Sequence, residues 1–147
     1  MPTDTLPSLA TLSADYLPAI ETEMHAAIGS GPAVLDTYYH MLVYHLGWVD
    51  AERQPLPVGQ GGKRIRPLLT ALTCAAVGGD WSHALPAAAA IELLHNFSLL
   101  HDDIQDNSPL RRGRATVWTL WGAPQAINAG DAMFTLAHLA PHRLRGL

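Results

Sequence analysis

Only one cysteine, Cys74, occurs in the 147 residues. No disulfide can form within one chain, and a reducing compartment fits. Basic residues are scarce as well: nine Lys and Arg stand against thirteen Asp and Glu, for a net charge of −4. That balance argues against a general binder of nucleic acid or of an anionic membrane surface. No Lys or Arg precedes Arg53. A secretory signal needs a positive start and a transit peptide needs arginines, so neither is expected. No run reaches the roughly 18 apolar residues of a spanning helix. These absences together predict a cytoplasmic protein with no membrane span.

What is present is enough to build a core. Hydrophobic residues make up 48% of the chain and charged residues 15%, a globular composition for one domain over residues 1–147. Apolar positions near a 3.6 period predict a helix from Ser8 to about Ile28, limited or kinked by Pro18. "AVLDTYYHMLVYHLGWVDAE" predicts a second helix, and "RQPLPVGQGG" a loop. "RIRPLLTALTCAAV" predicts a third, with Pro67 in its first turn. The next runs through "ALPAAAAIELLHNFSLLHDDIQD", with Trp81 or Ser82 as its cap, and "NSPLRRGRAT" breaks it. A short "VWTLW" precedes a last helix over "APQAINAGDAMFTLAHLA", ended by Pro141. No segment alternates in strand fashion. The expected fold class is all-α.

The placement of charge says more than its amount. Six of the nine basic residues lie in two groups, Lys63, Arg64, Arg66 and Arg111, Arg112, Arg114. The first follows "GQGG" at a predicted helix start, where glycines permit close approach and the helix end favours anions. The spacing is not that of a Walker loop. Between the two groups stand Asp102, Asp103 and Asp106, spaced i, i+3 and i, i+4, which predicts carboxylates to one side of a helix. Like charges at this spacing repel, the apolar turns before them strengthen the repulsion, and a helix C-terminus disfavours negative charge. A bound cation would reverse all three effects. Hard divalent ions take such oxygens, and Mg²⁺ typically adds substrate phosphates to one or two carboxylates. A plainer reading remains open, in which the aspartates are a solvated helix end paired with the following arginines. An EF-hand lacks its glycine and terminal glutamate here, and zinc lacks its sulfur ligands. His101 reads as a neighbour of the site, not a ligand.

"GGKRIRP", "LLHNFSLLHDDIQD", "RRGRAT" and "QAINAGD", in that order, resemble the amino-terminal half of the trans-polyprenyl diphosphate synthases. The resemblance spans roughly Gly59 to Ala140. DDxxD followed by RRG is similar to that family's first aspartate-rich motif. It implies the amino-terminal part of the isoprenoid synthase helical bundle. It also implies Mg²⁺-dependent joining of isopentenyl diphosphate to an allylic diphosphate, with a short-chain product. Carried over by motif, Asp102 and Asp106 would hold Mg²⁺ against the allylic diphosphate, with Asp103 supporting, and Arg111 would contact that diphosphate. Gly62, Lys63, Arg66, His95 and Arg112 would grip isopentenyl diphosphate. Phe97 and Ser98, five and four positions before Asp102, would bear on product length, although Phe97 also reads as an ordinary core aromatic.

The family's second aspartate-rich motif has no counterpart in this sequence, which ends at Leu147. The expectation is therefore a chain truncated after the first motif, with little chain-elongating activity alone. It would act as a homodimer or by pairing with a second synthase half. The alternative is a non-catalytic half that binds diphosphates or pairs with a synthase subunit. A terpene cyclase fits less well, because such an enzyme has no isopentenyl diphosphate for "GGKRIRP" to hold.

Overall fold

A computed structural model describes residues 8–144. Six α-helices carry the described residues: α1 Leu9–Ile28, α2 Asp36–His45, α3 Ile65–Ala76, α4 Leu85–Gln105, α5 Val117–Trp121 and α6 Ala123–Leu139. Strands β1 Leu110–Arg111 and β2 Arg114–Ala115 form a small antiparallel hairpin between α4 and α5. The all-α expectation holds. Among the described residues no helix is long and apolar enough to cross a membrane.

α4 is the central element, and it packs against α6 most extensively, then against α1 and α3. Its buried face is Ala88, Ala89, Leu93 and Leu100, and α6 answers with Ala126, Ala129, Met133 and Ala137. Small residues at these contacts let the two helix axes come close. Gly130 on α6 has no room for a side chain, because a Cβ there would run into the His101 imidazole of α4. α1 contributes Tyr16, Ile20, Met24 and Ile28, one stripe at four-residue spacing. The Ser8 hydroxyl starts that helix by accepting from the Thr11 N–H at 3.1 Å. The helix passes through Pro18 without ending there.

Three sequence-based expectations change. The second helix begins as a 3₁₀ turn at Ala33–Leu35 and stops at His45, short of Glu52. The reason is backbone packing: Gly47, at φ +77°, lies against the next loop, and a Cβ there would stand 2.5 Å from the Gly61 nitrogen. Trp48 and Val49 therefore serve a loop closed by the Val49–Pro55 bridge. Asp80, not Trp81 or Ser82, caps the segment leading into α4, accepting from the Ser82 N–H and hydroxyl at 2.9 and 2.7 Å. Those bonds favour its ionised form and pull its carboxyl below the ordinary value. "NSPLRRGRAT" holds the hairpin, whose turn residues Arg112 and Gly113 both have positive φ, as a two-residue type I′ turn requires. The end of α6 is as expected: it stops at Leu139 and passes into a 3₁₀ turn, Ala140–Arg143, that includes Pro141.

Candidate functional site

The site is built where α4 ends and the hairpin folds back on it. The last turns of α4 carry Asp102 and Asp103, and Asp106 is its C-terminal cap residue. Asn107, at φ +51°, then turns the chain into the hairpin. That return places Arg111 against Asp103. Its Nε donates to both carboxylate oxygens at 2.9 and 3.0 Å, and its Nη2 lies 2.8 Å from Oδ1. Asp103 is only 2% exposed.

The three aspartates therefore do not share one side. Successive helix residues diverge by about 100°, whereas residues four apart differ by about 40°. Asp103 turns into the core and is matched by Arg111. Asp102 and Asp106 are exposed, and among the described residues neither carboxylate has an ion pair or side-chain hydrogen bond. No group of three His, Cys, Asp or Glu among the described residues forms a protein-only metal cage. Two free carboxylates one helical turn apart fit a Mg²⁺ that completes its shell with water and phosphate oxygens.

The basic groups divide in the same way. Arg64 is buried and structural. Its guanidinium bonds Glu21 at 2.7 Å, Glu92 at 2.9 Å, and the carbonyls of Gly61 and Leu46 at 3.1 and 3.0 Å. Glu92 also accepts from the Asn96 amide at 3.0 Å. Arg114 donates to the carbonyls of Tyr44 and Val49 at 3.1 and 2.8 Å and sits 4.1 Å over the Tyr44 ring. These two fix the loops. Lys63, Arg66 and Arg112 are exposed, and none has an ion pair among the described residues.

Gly62 joins the two clusters. A Cβ at Gly62 would lie 2.9–3.2 Å from three atoms of the Arg112 guanidinium, and its φ is +104°. The first basic loop thus lies directly against the second, some fifty residues away in sequence. His95, partly buried on α4, is held below the ordinary imidazole value by burial first and then by the field of Arg66; Glu92 pulls the other way, and the weaker fields of Arg112 and Arg111 add to the lowering. The charges of Arg66, Arg111 and Arg112 all reach the His95 imidazole. Phe97 packs edge-on against His101 and Phe134, with ring centroids 4.9 and 5.0 Å away. The Ser98 hydroxyl turns back on its own helix and donates to the His95 carbonyl at 2.7 Å.

The chain as a whole has known relatives. The Polyprenyl synthetase family profile matches residues 56–145. The chain belongs to the polyprenyl synthetase family. It is 49% identical over 105 residues to the (2E,6E)-farnesyl diphosphate synthase of Mycobacterium tuberculosis, covering 71% of this chain and 29% of that protein. It is 47% identical over 114 residues to a geranylgeranyl diphosphate synthase of the same species, covering 78% of this chain and 31% of that one. The solved polyprenyl synthetase structure from Streptomyces coelicolor matches with a TM-score of 0.82 and 37% identity, over 95% of this chain and 40% of that chain. The chain thus spans less than a third of the length of these curated relatives. The helical-bundle expectation stands, and this polyprenyl synthetase chain carries the bundle segment that holds the site just described.

Sequence reasoning did not single out Arg64 as a structural hub, nor His45 and Gln60 behind the basic clusters, nor Phe134 beside Phe97. The burial of Arg64 has no local signal, because its partners Glu21 and Glu92 lie in distant helices.

Proposed function

We propose that the chain supplies the metal- and diphosphate-binding part of a Mg²⁺-dependent prenyl-transferring enzyme. It would join isopentenyl diphosphate to an allylic diphosphate and make a short-chain product. The observation that carries this reading is the close approach of Gly62 to Arg112, which brings together unpaired cations from two loops, while Asp102 and Asp106 stand free at the end of α4. Roles follow from position. Asp102 and Asp106 hold the metal; Arg111, already oriented by Asp103, turns its remaining donors to the allylic diphosphate. Lys63, Arg66, His95, Arg112 and the Gly62 backbone receive isopentenyl diphosphate. Asp103 acts as the anchor of Arg111, not as a metal ligand.

Asp102 and Asp106 would hold Mg²⁺, which would supply neutralising charge to the diphosphate oxygens. The chain's own residues bind and orient both diphosphates, so that the alkene lies near the allylic carbon. A new carbon–carbon bond forms, inorganic diphosphate departs and the condensing partner loses a proton. The apolar residues of α4 keep water from the allylic cation, and Phe97 with Phe134 forms an aromatic floor that limits the product. His95, kept neutral, can accept a hydrogen bond or donate one without adding charge.

Exposed Ile65 and Leu69 on α3 and Ile91 and Leu94 on α4 support pairing with a second copy or a second synthase half. The lone, partly buried Cys74 suits the cytoplasm. The test is incorporation of radiolabelled isopentenyl diphosphate onto an allylic primer, by the chain alone and with a candidate carboxy-terminal half. Product in either case supports the reading. Folded partners that neither make product nor bind a diphosphate contradict it.

A further inference from the structure

We propose that His45 is a positioning residue that holds Arg112 in place through one water bound in a cavity behind the hairpin. The inference rests on the diphosphate-binding reading above. His45 is the last residue of α2 and only 8% exposed. Its Nε2 is fully enclosed and has no hydrogen-bond partner among the described residues. A buried polar atom is normally paired, with protein or with ordered water.

The space next to it is polar and small. His45 lines a cavity of about 20 Å³ together with Gln60, Asp103, Arg111, Arg112 and Thr116. One water needs roughly 10–15 Å³ of such volume and two to four polar partners. The cavity therefore takes a water and is too small for a phosphate. Its walls come from both sides of the site: Gln60 from the loop before Gly62, Arg111 and Arg112 from the hairpin, Asp103 from α4. A water seated there can bond His45 in either tautomer, because water both donates and accepts. It can also accept from Arg112, which lines the cavity and whose guanidinium lies against Gly62. A cation in this position would face Arg111, Arg112 and Arg114; a neutral imidazole is the side chain that can share the space. His45 thus sets the back of the arginine whose front receives the diphosphate.

The experiment measures binding of inorganic pyrophosphate by calorimetry and thermal stability for wild type, His45→Leu, His45→Asn, Arg112→Ala and the His45→Leu, Arg112→Ala double variant. His45→Leu fills similar volume with no polar atom and should weaken binding about tenfold. His45→Asn keeps a donor and acceptor and should restore most of the affinity. The losses from His45→Leu and Arg112→Ala should fall well short of additive when combined, as for residues acting through one another. A purely structural role would shift the melting temperature and leave the affinity of the folded protein unchanged. A second arm uses wild type alone: a long-lived water should give an NMR cross-peak to the His45 ring protons. Pyrophosphate binding that depends on Arg112 but is indifferent to His45→Leu overturns the proposal, as does absence of that water signal. A wild type that binds no pyrophosphate overturns the functional reading itself, and this inference with it.

Discussion

Arg111 holds Asp103 by both carboxylate oxygens, at 2.9 and 3.0 Å, and so removes one of the three aspartates of α4 from the surface. Breaking a buried pair leaves an uncompensated charge, at a cost of about 3–5 kcal/mol. Asp103→Ala is expected near the lower end of that range, because Arg111 is 29% exposed. Asp102→Ala and Asp106→Ala should change stability by no more than about 0.5 kcal/mol. Denaturant unfolding of the three variants checks this ordering. Equal effects at all three positions would mean that Asp103 is not the anchor of Arg111.

Arg64 and Lys63 are neighbours in opposite settings, one buried and one exposed. The Arg64 side chain is 4% exposed and tied to Glu92, which is equally buried. Arg64→Ala strands Glu92 and should cost about 3–5 kcal/mol. Lys63→Ala should leave stability within about 0.5 kcal/mol and instead weaken diphosphate binding. Thermal melts and calorimetry on the same two proteins separate the roles.

That division explains what was legible in the sequence. Helix count and order followed from apolar period and from Pro and Gly punctuation, because those signals are local. The end of α2 was not legible, because Gly47 leaves the helix to meet Gly61, a contact between segments with no pattern in common. The order of motifs pointed to Asp102, Asp106 and the two basic groups. It left Arg64 and Arg114 without a role but gave no packing reason for setting them apart. Asp103, Arg64 and Arg114 are turned to the core by partners on other elements, and residue type alone does not show that.

His45 makes stability depend on pH. Burial, with the fields of Arg112, Arg111, Arg64 and Arg114, lowers it from the ordinary 6.5 to about 3. Between those values the unfolded chain binds a proton that the folded chain refuses, so stability falls as pH drops through 6.5 toward 3. From pH 7 to pH 5 the loss from His45 should be on the order of 2 kcal/mol. The lowered His25 and His95 act in the same direction. His45→Asn should flatten the slope; an unchanged slope in unfolding curves at the two pH values would assign it elsewhere.

Phe97 and Phe134 meet edge to face at 5.0 Å across α4 and α6. In any active assembly, Phe97→Ala should open the floor and lengthen the products separated by chromatography. Phe134→Ala should act in the same direction. An unchanged product profile for both would leave the pair as packing only.

The central claim is that two free carboxylates and two converging basic loops bind a diphosphate through Mg²⁺. Calorimetric titration of the purified chain with inorganic pyrophosphate, with and without Mg²⁺, tests it most directly. Binding should be tight only with Mg²⁺ and should fall at least tenfold, a loss of about 1.4 kcal/mol, in the Asp102→Ala, Asp106→Ala double variant. Equal affinity with and without the metal, or in wild type and double variant, would contradict the account.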